Sequence, residues 1–343
     1  MSTPRSLKLP DQVRRGSIAT LRGTFAALEA RPATGVCERQ PALLLPGYTG
    51  SKEDFLPILQ PLAAAGRRVV AIDMRGQYQS QGAADRSGYA PDELAADVAA
   101  VARRIAEDDS GVHLLGHSLG GLVARQTMLA RTARFVSLTL LGSGPASIPG
   151  QRAAVLRQIL AELDPQDAAV SDDAGALGGK IRQLWDQHLG PQAAADGTPE
   201  HIIAFLRERT LRNSPVGLIA MGRYLLGCAD RTQELSDLGA RILVIYGEND
   251  DAWTPAVQDR MAKRLKAQRV CIPGAAHSPA VEAPETTAST LTAFWNAAEW
   301  SERRRPAGHD APQARAGPPA ESSMDASPSH GRRGAAAEPP SGQ

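Results

Sequence analysis

Residues 111–126 read GVHLLGHSLGGLVARQ, placing a serine between glycines where a hydrophobic run gives way to a helical pattern. Ser118 could simply fill a glycine turn. It could equally be a hydroxyl held up on a sharp strand-to-helix bend, as a nucleophile has to be. In a chain with 32 glycines the G-x-S-x-G spacing is weak on its own, so the surrounding residues have to decide. Gly116 and Gly120 flank the serine two positions away on either side, where strand and helix backbones approach too closely for larger residues, and Gly121 adds further room.

A serine hydroxyl attacks a carbonyl only when a neighbouring base takes its proton. Of the seven histidines, His113 lies in the hydrophobic run, His117 inside the bend, His188 and His201 in a helical stretch, and His309 and His330 near the end of the chain. His277, in CIPGAAHSP, follows the last hydrophobic run and is the candidate base. A carboxylate must then fix its tautomer and stabilise the imidazolium. The segment after RILVIYG supplies Asp250 and Asp251, and both remain candidates. Charge developing on a substrate oxygen needs backbone donors set in advance, worth roughly 3 to 4 kcal/mol each. Leu119 N–H, at the head of the helix after the serine, is one candidate, and Tyr48 N–H in LLLPGYTGS is the other.

These loops can meet only if the elements before them share one edge. Short hydrophobic runs at 41–47, 67–76, 111–116, 135–144, 241–248 and 268–274 alternate with helical patterns, as in a parallel sheet with crossover helices. Strand ends of such a doubly wound α/β sheet share one rim. Ser51 and Asp54 resemble a capping box opening a helix through Ala65, and residues 91–109 form a second helix with Leu94, Val98, Val101 and Ile105 on one face. GSIATLRGTFAALEA is expected to supply a leading hairpin. About ninety residues between Pro145 and Ser236 read as helical without a strand, which fits an inserted helical cap. The expected organisation is therefore a core of 1–144 and 237–300, a cap of 145–236, and a disordered tail of 301–343 that lacks Leu, Ile, Val, Phe, Trp and Tyr. In the cap, Ile219, Met221, Leu225 and Trp185 suit either a pocket wall or the cap's own packing.

Composition narrows the function classes. Thirty-eight Lys and Arg against 37 Asp and Glu leave no global field for nucleic acid or an anionic membrane. Cys37, Cys228 and Cys271 form no C-x-x-C pair, so reduced thiols in a cytoplasmic protein are expected. Neither an apolar leader core nor a membrane-length apolar run is present.

At GHSLG the sequence resembles the α/β-hydrolase superfamily, in particular capped bacterial esterases, over roughly residues 15–300. DMRGQYQS (73–80) is similar to the family's D-x-R-G-x-G-x-S turn, YGENDDAWTP to its acid loop and PGAAHSP to its histidine loop. The chain order serine, aspartate, histidine is also the family's. Two positions depart from the pattern. Pro46 stands where the family has a histidine that can buttress the oxyanion loop, and Tyr78 replaces a turn glycine, a change expected to alter turn packing only. Counting three residues on from Gly247 selects Asp250 as the family acid, whereas counting four back from Pro255 selects Asp251; the rigid strand end favours Asp250. The resemblance implies a serine hydrolase acting on a small or medium carboxylic ester through an acyl-enzyme, with neither metal nor organic cofactor. C–C bond hydrolysis or peracid formation on the same triad, and a ligand-binding receptor on the same fold, are the alternatives.

Overall fold

The computed structural model describes residues 2–35, 37, 39–106, 111–164 and 174–303. Its hydrophobic runs become strands wherever a turn residue stops them: β1 (Val13–Thr20), β2 (Gly23–Ala30), β3 (Arg39–Leu45), β4 (Arg67–Ile72), β5 (Val112–His117), β6 (Phe135–Leu141), β7 (Ile242–Gly247) and β8 (Gln268–Ile272). β1 and β2 are the expected hairpin, paired antiparallel from Val13 opposite Ala30 to Thr20 opposite Gly23. The sheet order is β1-β2-β4-β3-β5-β6-β7-β8, with β3 to β8 parallel to their neighbours and β2 antiparallel to β4. β4 ends at Ile72 and β6 at Leu141, both short of their predicted ends; β6 stops where Gly142 (φ 52°) turns the chain through a left-handed conformation that suits glycine.

Both faces of this sheet are covered, so its strands are continuously apolar and their alternate residues serve opposite cores. Val70 and Ile72 pack with α2 (Pro91–Ile105) and α3 (Leu119–Ala130). Val69 and Ala71 pack on the opposite face with α1 (Leu56–Ala64) and with Leu291 and Trp295 of the C-terminal helix. Each fully buried aliphatic side chain contributes about 1.5 to 3 kcal/mol.

Between β6 and β7 the elements among the described residues are all helical: α4 (Gly150–Leu163), α5 (Ala174–Leu184), a π-helical turn Trp185–Leu189, α6 (Gly190–Ala195), α7 (Glu200–Arg212), α8 (Pro215–Gly227) and α9 (Thr232–Asp237). The chain then completes its core with α10 (Pro255–Leu265), the short α11 (Pro279–Glu282) and α12 (Pro284–Arg303). Residues 1–304 form one compact unit in which these helices are not a separate body.

Two expectations need adjustment. The helix after Ser51 is a 3-10 turn, Lys52–Phe55, followed by α1, while the expected Ser51–Asp54 capping box is formed, Asp54 Oδ2 accepting the Ser51 N–H (3.2 Å) and the other Asp54 oxygen taking Arg209 (2.8 Å). α12 runs through residues 301–303, so the proposed tail begins no earlier than 304, and 304–343 lie outside the described residues, as do 107–109 at the end of the second predicted helix. Among the described residues no helix is long and apolar enough to cross a membrane.

Candidate active site

The main-chain ladder continues past the strand ends and fixes the rim. Ser118 N–H donates to Leu141 C=O (3.0 Å), Gly142 N–H to Ile245 C=O (2.8 Å), and Asn249 N–H to Ala275 C=O (2.9 Å). The loops carrying Ser118, Asp250 and His277 are thus tied to one another before any side chain is considered.

Ser118 has φ 53° and ψ −118°, a left-handed conformation that costs a non-glycine residue on the order of 1 to 3 kcal/mol and persists only when neighbours enforce it. The close approaches that enforce it explain the glycines. A Cβ on Gly116 would lie 2.2 Å from Gly120 O, and one on Gly120 would lie 2.5 Å from Leu45 O. Ser143 Oγ adds a hydrogen bond to Ser118 C=O (2.8 Å). The hydroxyl opens onto a cavity of about 370 Å³ that His277, Tyr48 and Asp251 also line. Leu119 begins α3 directly after the serine.

His277 Nδ1 is 3.0 Å from Asp250 Oδ1. Asp250 is buried and accepts two further bonds, from Ala252 N–H (2.9 Å) and Gln258 Nε2 (2.9 Å). Burial alone would raise its pKa, but donation from His277, Ala252 and Gln258 outweighs it and holds the carboxyl below its ordinary value. Asp251 points elsewhere. Its side chain is 64% exposed and forms a bidentate ion pair with Arg152 of α4, Nη2 to Oδ1 at 2.6 Å and Nε to Oδ2 at 3.0 Å. The structure therefore brings Asp250 to His277 and gives Asp251 to the helical segment.

Some contributors were not legible in the sequence. His117, set aside as part of the bend, donates from Nε2 to His277 C=O (2.9 Å). Burial, and secondarily the neighbouring His277, lowers its pKa to about 3, so it is neutral. Gln258 lies within α10, where its spacing from Asp250 carries no signal. Tyr78 does more than repack a turn. At φ 37° it occupies the backbone region a glycine would take freely; its N–H donates to Asn213 Oδ1 (3.1 Å), and its ring meets Phe205 edge-on (5.7 Å). Of Ile219, Met221, Leu225 and Trp185, only Leu225 lines the cavity. Trp185 packs with Ile202, Phe205 and Leu206, while Ile219 and Met221 are buried in the main core. Among the described residues no three His, Cys, Asp or Glu side chains group as a metal site.

Residues 42–290 match the family model described as the alpha/beta hydrolase family. The chain belongs to that family. Over 109 residues, 32% of this chain, it is 39% identical to the provisionally named carbamate hydrolase RutD of Variovorax paradoxus, of which it covers 40%. It is 28% identical over 233 residues, 66% of this chain, to a pimeloyl-[acyl-carrier protein] methyl ester esterase of Aeromonas hydrophila, of which it covers 84%. The chain spans 40%, 63% and 51% of the length of three of the curated relatives it matches. Among solved structures, the enol-lactonase from Burkholderia xenovorans superposes with a TM-score of 0.61 at 17% identity, covering 82% of this chain and all of that one, which extends the agreement in fold. The alpha/beta hydrolase reading of GHSLG and the doubly wound sheet thus agree with family and fold.

Proposed function

We propose that this alpha/beta hydrolase is a serine hydrolase that cleaves small or medium carboxylic esters. The observation that carries the reading is the His277–Asp250 hydrogen bond at the rim of the cavity that also exposes Ser118. In the proposed cycle Ser118 Oγ attacks the carbonyl carbon while His277 takes its proton, and Asp250 stabilises the resulting imidazolium. Tyr48 and Leu119 N–H groups hold the oxyanion. The proton returns to the leaving alkoxide, and water, activated by the same histidine, releases the acid from the acyl-enzyme. No step calls for a metal or organic cofactor.

The helices of 145–236 act as the cap in this reading. They contribute Leu156, Ile159, Ile181, Leu218 and Leu225 to the cavity wall, and the charge they bring there, Arg152, is neutralised by Asp251 of the loop after β7. This lining suits an uncharged, apolar acyl group. The reaction is placed in the cytoplasm, which the three unpaired cysteines support. A small-molecule ester is the expected partner, without nucleic acid or membrane.

Labelling by a fluorophosphonate tests the reading. The parent protein should be labelled at Ser118, and Ser118→Ala should stay folded, escape the label and lose ester turnover. A Ser118→Ala protein hydrolysing at the parent rate, or a parent that resists the probe as a mere binding protein would, contradicts the assignment.

A further inference from the structure

The loop that carries Tyr48 follows β3, and the sheet order places β4 on one side of β3 and β5 on the other. The turn after β4 contributes Gln77, whose side chain is completely buried. Its Nε2 donates to Gly47 C=O (2.7 Å) and to Tyr48 C=O (3.2 Å), while its Oε1 accepts Met74 N–H (3.0 Å). All the capacity of the amide except one lone pair is committed to aiming two successive carbonyls toward the β4 side.

In a trans peptide the C=O and the next N–H point in opposite directions, and no peptide among the described residues is cis. Gly47 C=O and Tyr48 N–H belong to the same peptide unit. Holding that carbonyl toward β4 turns the N–H toward β5, where Ser118 stands; a Cβ built on Gly47 would lie 3.3 Å from Ser118 Cβ. Gly50 N–H also reaches Gly47 C=O (3.1 Å), and Tyr48 OH is tethered to Leu218 C=O (2.7 Å). Among the described residues Gln77 alone grips both peptide planes.

We propose that Gln77 is a positioning residue for the oxyanion hole, fixing the Tyr48 N–H on the oxygen of the tetrahedral intermediate. The inference rests on the serine-hydrolase reading. It makes Gln77 the link by which the turn after β4 takes part in a reaction it does not touch. Outright loss of an oxyanion donor costs roughly 100- to 1,000-fold in turnover, and a donor misaimed but present costs less.

The test uses the full chain with Gln77→Met, which keeps the volume and removes both donors, and Gln77→Glu, which keeps the acceptor for Met74 N–H. Both are compared with the parent by melting temperature, by hydrolysis of p-nitrophenyl butyrate and by affinity for phenylboronic acid, which forms a tetrahedral adduct on an active serine. Expected are a kcat lower by roughly 10- to 100-fold, KM within about twofold, boronate affinity lowered in parallel with kcat/KM, and a folded protein whose melting temperature falls by several degrees, as the loss of buried hydrogen bonds requires. If the parent takes the fluorophosphonate without turning over this ester, the labelling rate constant replaces kcat. A parent that takes no label overturns the hydrolase reading and this inference with it. A labelled parent whose Gln77 variants keep kcat, or lose it without losing boronate affinity, overturns the Gln77 role alone. The same holds if neither variant folds, since the side chain is then structural.

Discussion

The rim of the sheet and the helices between β6 and β7 border one cavity, yet they are fixed by different forces. At the rim the main chain does most of the holding, with backbone bonds from loop to loop and glycines at Gly116 and Gly120 where no side chain fits. The helical side is attached mostly through side chains, with a main-chain bond from Ser214 N–H to Gly76 C=O (2.7 Å) beside them. Arg209 of α7 reaches the buried Asp54 (2.8 Å) and Ser2 C=O (2.7 Å), Tyr48 OH reaches Leu218 C=O, and Arg152 reaches Asp251. A rim built on backbone tolerates little change and keeps reacting groups in register. Attachment by side chains lets the facing wall differ without disturbing the chemistry.

The sharpest test of this contrast is at the rim. Asp250→Asn should lower ester turnover by roughly 10⁴-fold by leaving His277 in the wrong tautomer, the size of effect seen for other triad aspartates. Asp251→Asn should change it little. Steady-state hydrolysis by the two single variants decides it, and near-normal turnover in the first with collapse in the second would reverse the assignment of the acid.

On the helical side the largest effect should be on stability. Arg209 is fully buried and Asp54 nearly so, and removing one partner of a buried pair leaves an uncompensated charge, costing about 3 to 5 kcal/mol. Arg209→Met should show this in urea unfolding, with Arg209→Met/Asp54→Asn recovering part of the loss. A cost below about 1 kcal/mol, the scale of an exposed pair, would mean that this attachment is not what ties α7 to the core.

His117 brings pH into the rim. Its pKa is about 3 in the folded protein against an ordinary 6.5, so as pH falls the unfolded chain takes up this proton first. Stability present above pH 6.5 is therefore lost progressively down to about 3, with this residue contributing roughly 1.4 kcal/mol per pH unit in that window. Gln can donate to His277 C=O without titrating, so unfolding free energies of His117→Gln should fall less steeply than those of the parent across the same range. Equal slopes would show that His117 charges in place.

The two regions also differ in how far the sequence reveals them. Ser118, His277 and the six parallel strands were legible because a strand-ending glycine, an apolar run and a loop residue are all local signals. The partner of His277 was narrowed to Asp250 or Asp251, with the strand end favouring Asp250, and the fold turns Asp250 to His277 and Asp251 to Arg152. Tyr78 was expected to matter to its turn alone, yet its partners Asn213 and Phe205 stand more than a hundred residues away. Arg209, Gln258 and Gln77 escaped for the same reason, since a polar side chain on a helix or turn gives no sign of which distant group it will meet.

The smallest expected effect bears on how the helical side discriminates between substrates. Arg152 is 34% and Asp251 64% exposed, so their bond should add no more than about 0.2 to 1 kcal/mol to stability and weaken with salt. Both residues line the cavity, however, and each masks the other's charge. Asp251→Asn leaves Arg152 uncompensated at the wall, and esters whose acyl group ends in a carboxylate should then be hydrolysed relatively better than neutral ones of equal length, by a few-fold and less at high ionic strength. Arg152→Gln should shift the preference the opposite way by exposing Asp251. Because His277 is held by Asp250, kcat on a small neutral ester should stay within about twofold in both variants. The ratio of kcat/KM for monomethyl adipate and methyl hexanoate, measured at low and high salt, reads the effect. An unchanged ratio in both variants would mean that the acyl group never passes this pair, and that α4 shapes the cavity through its aliphatic side chains alone.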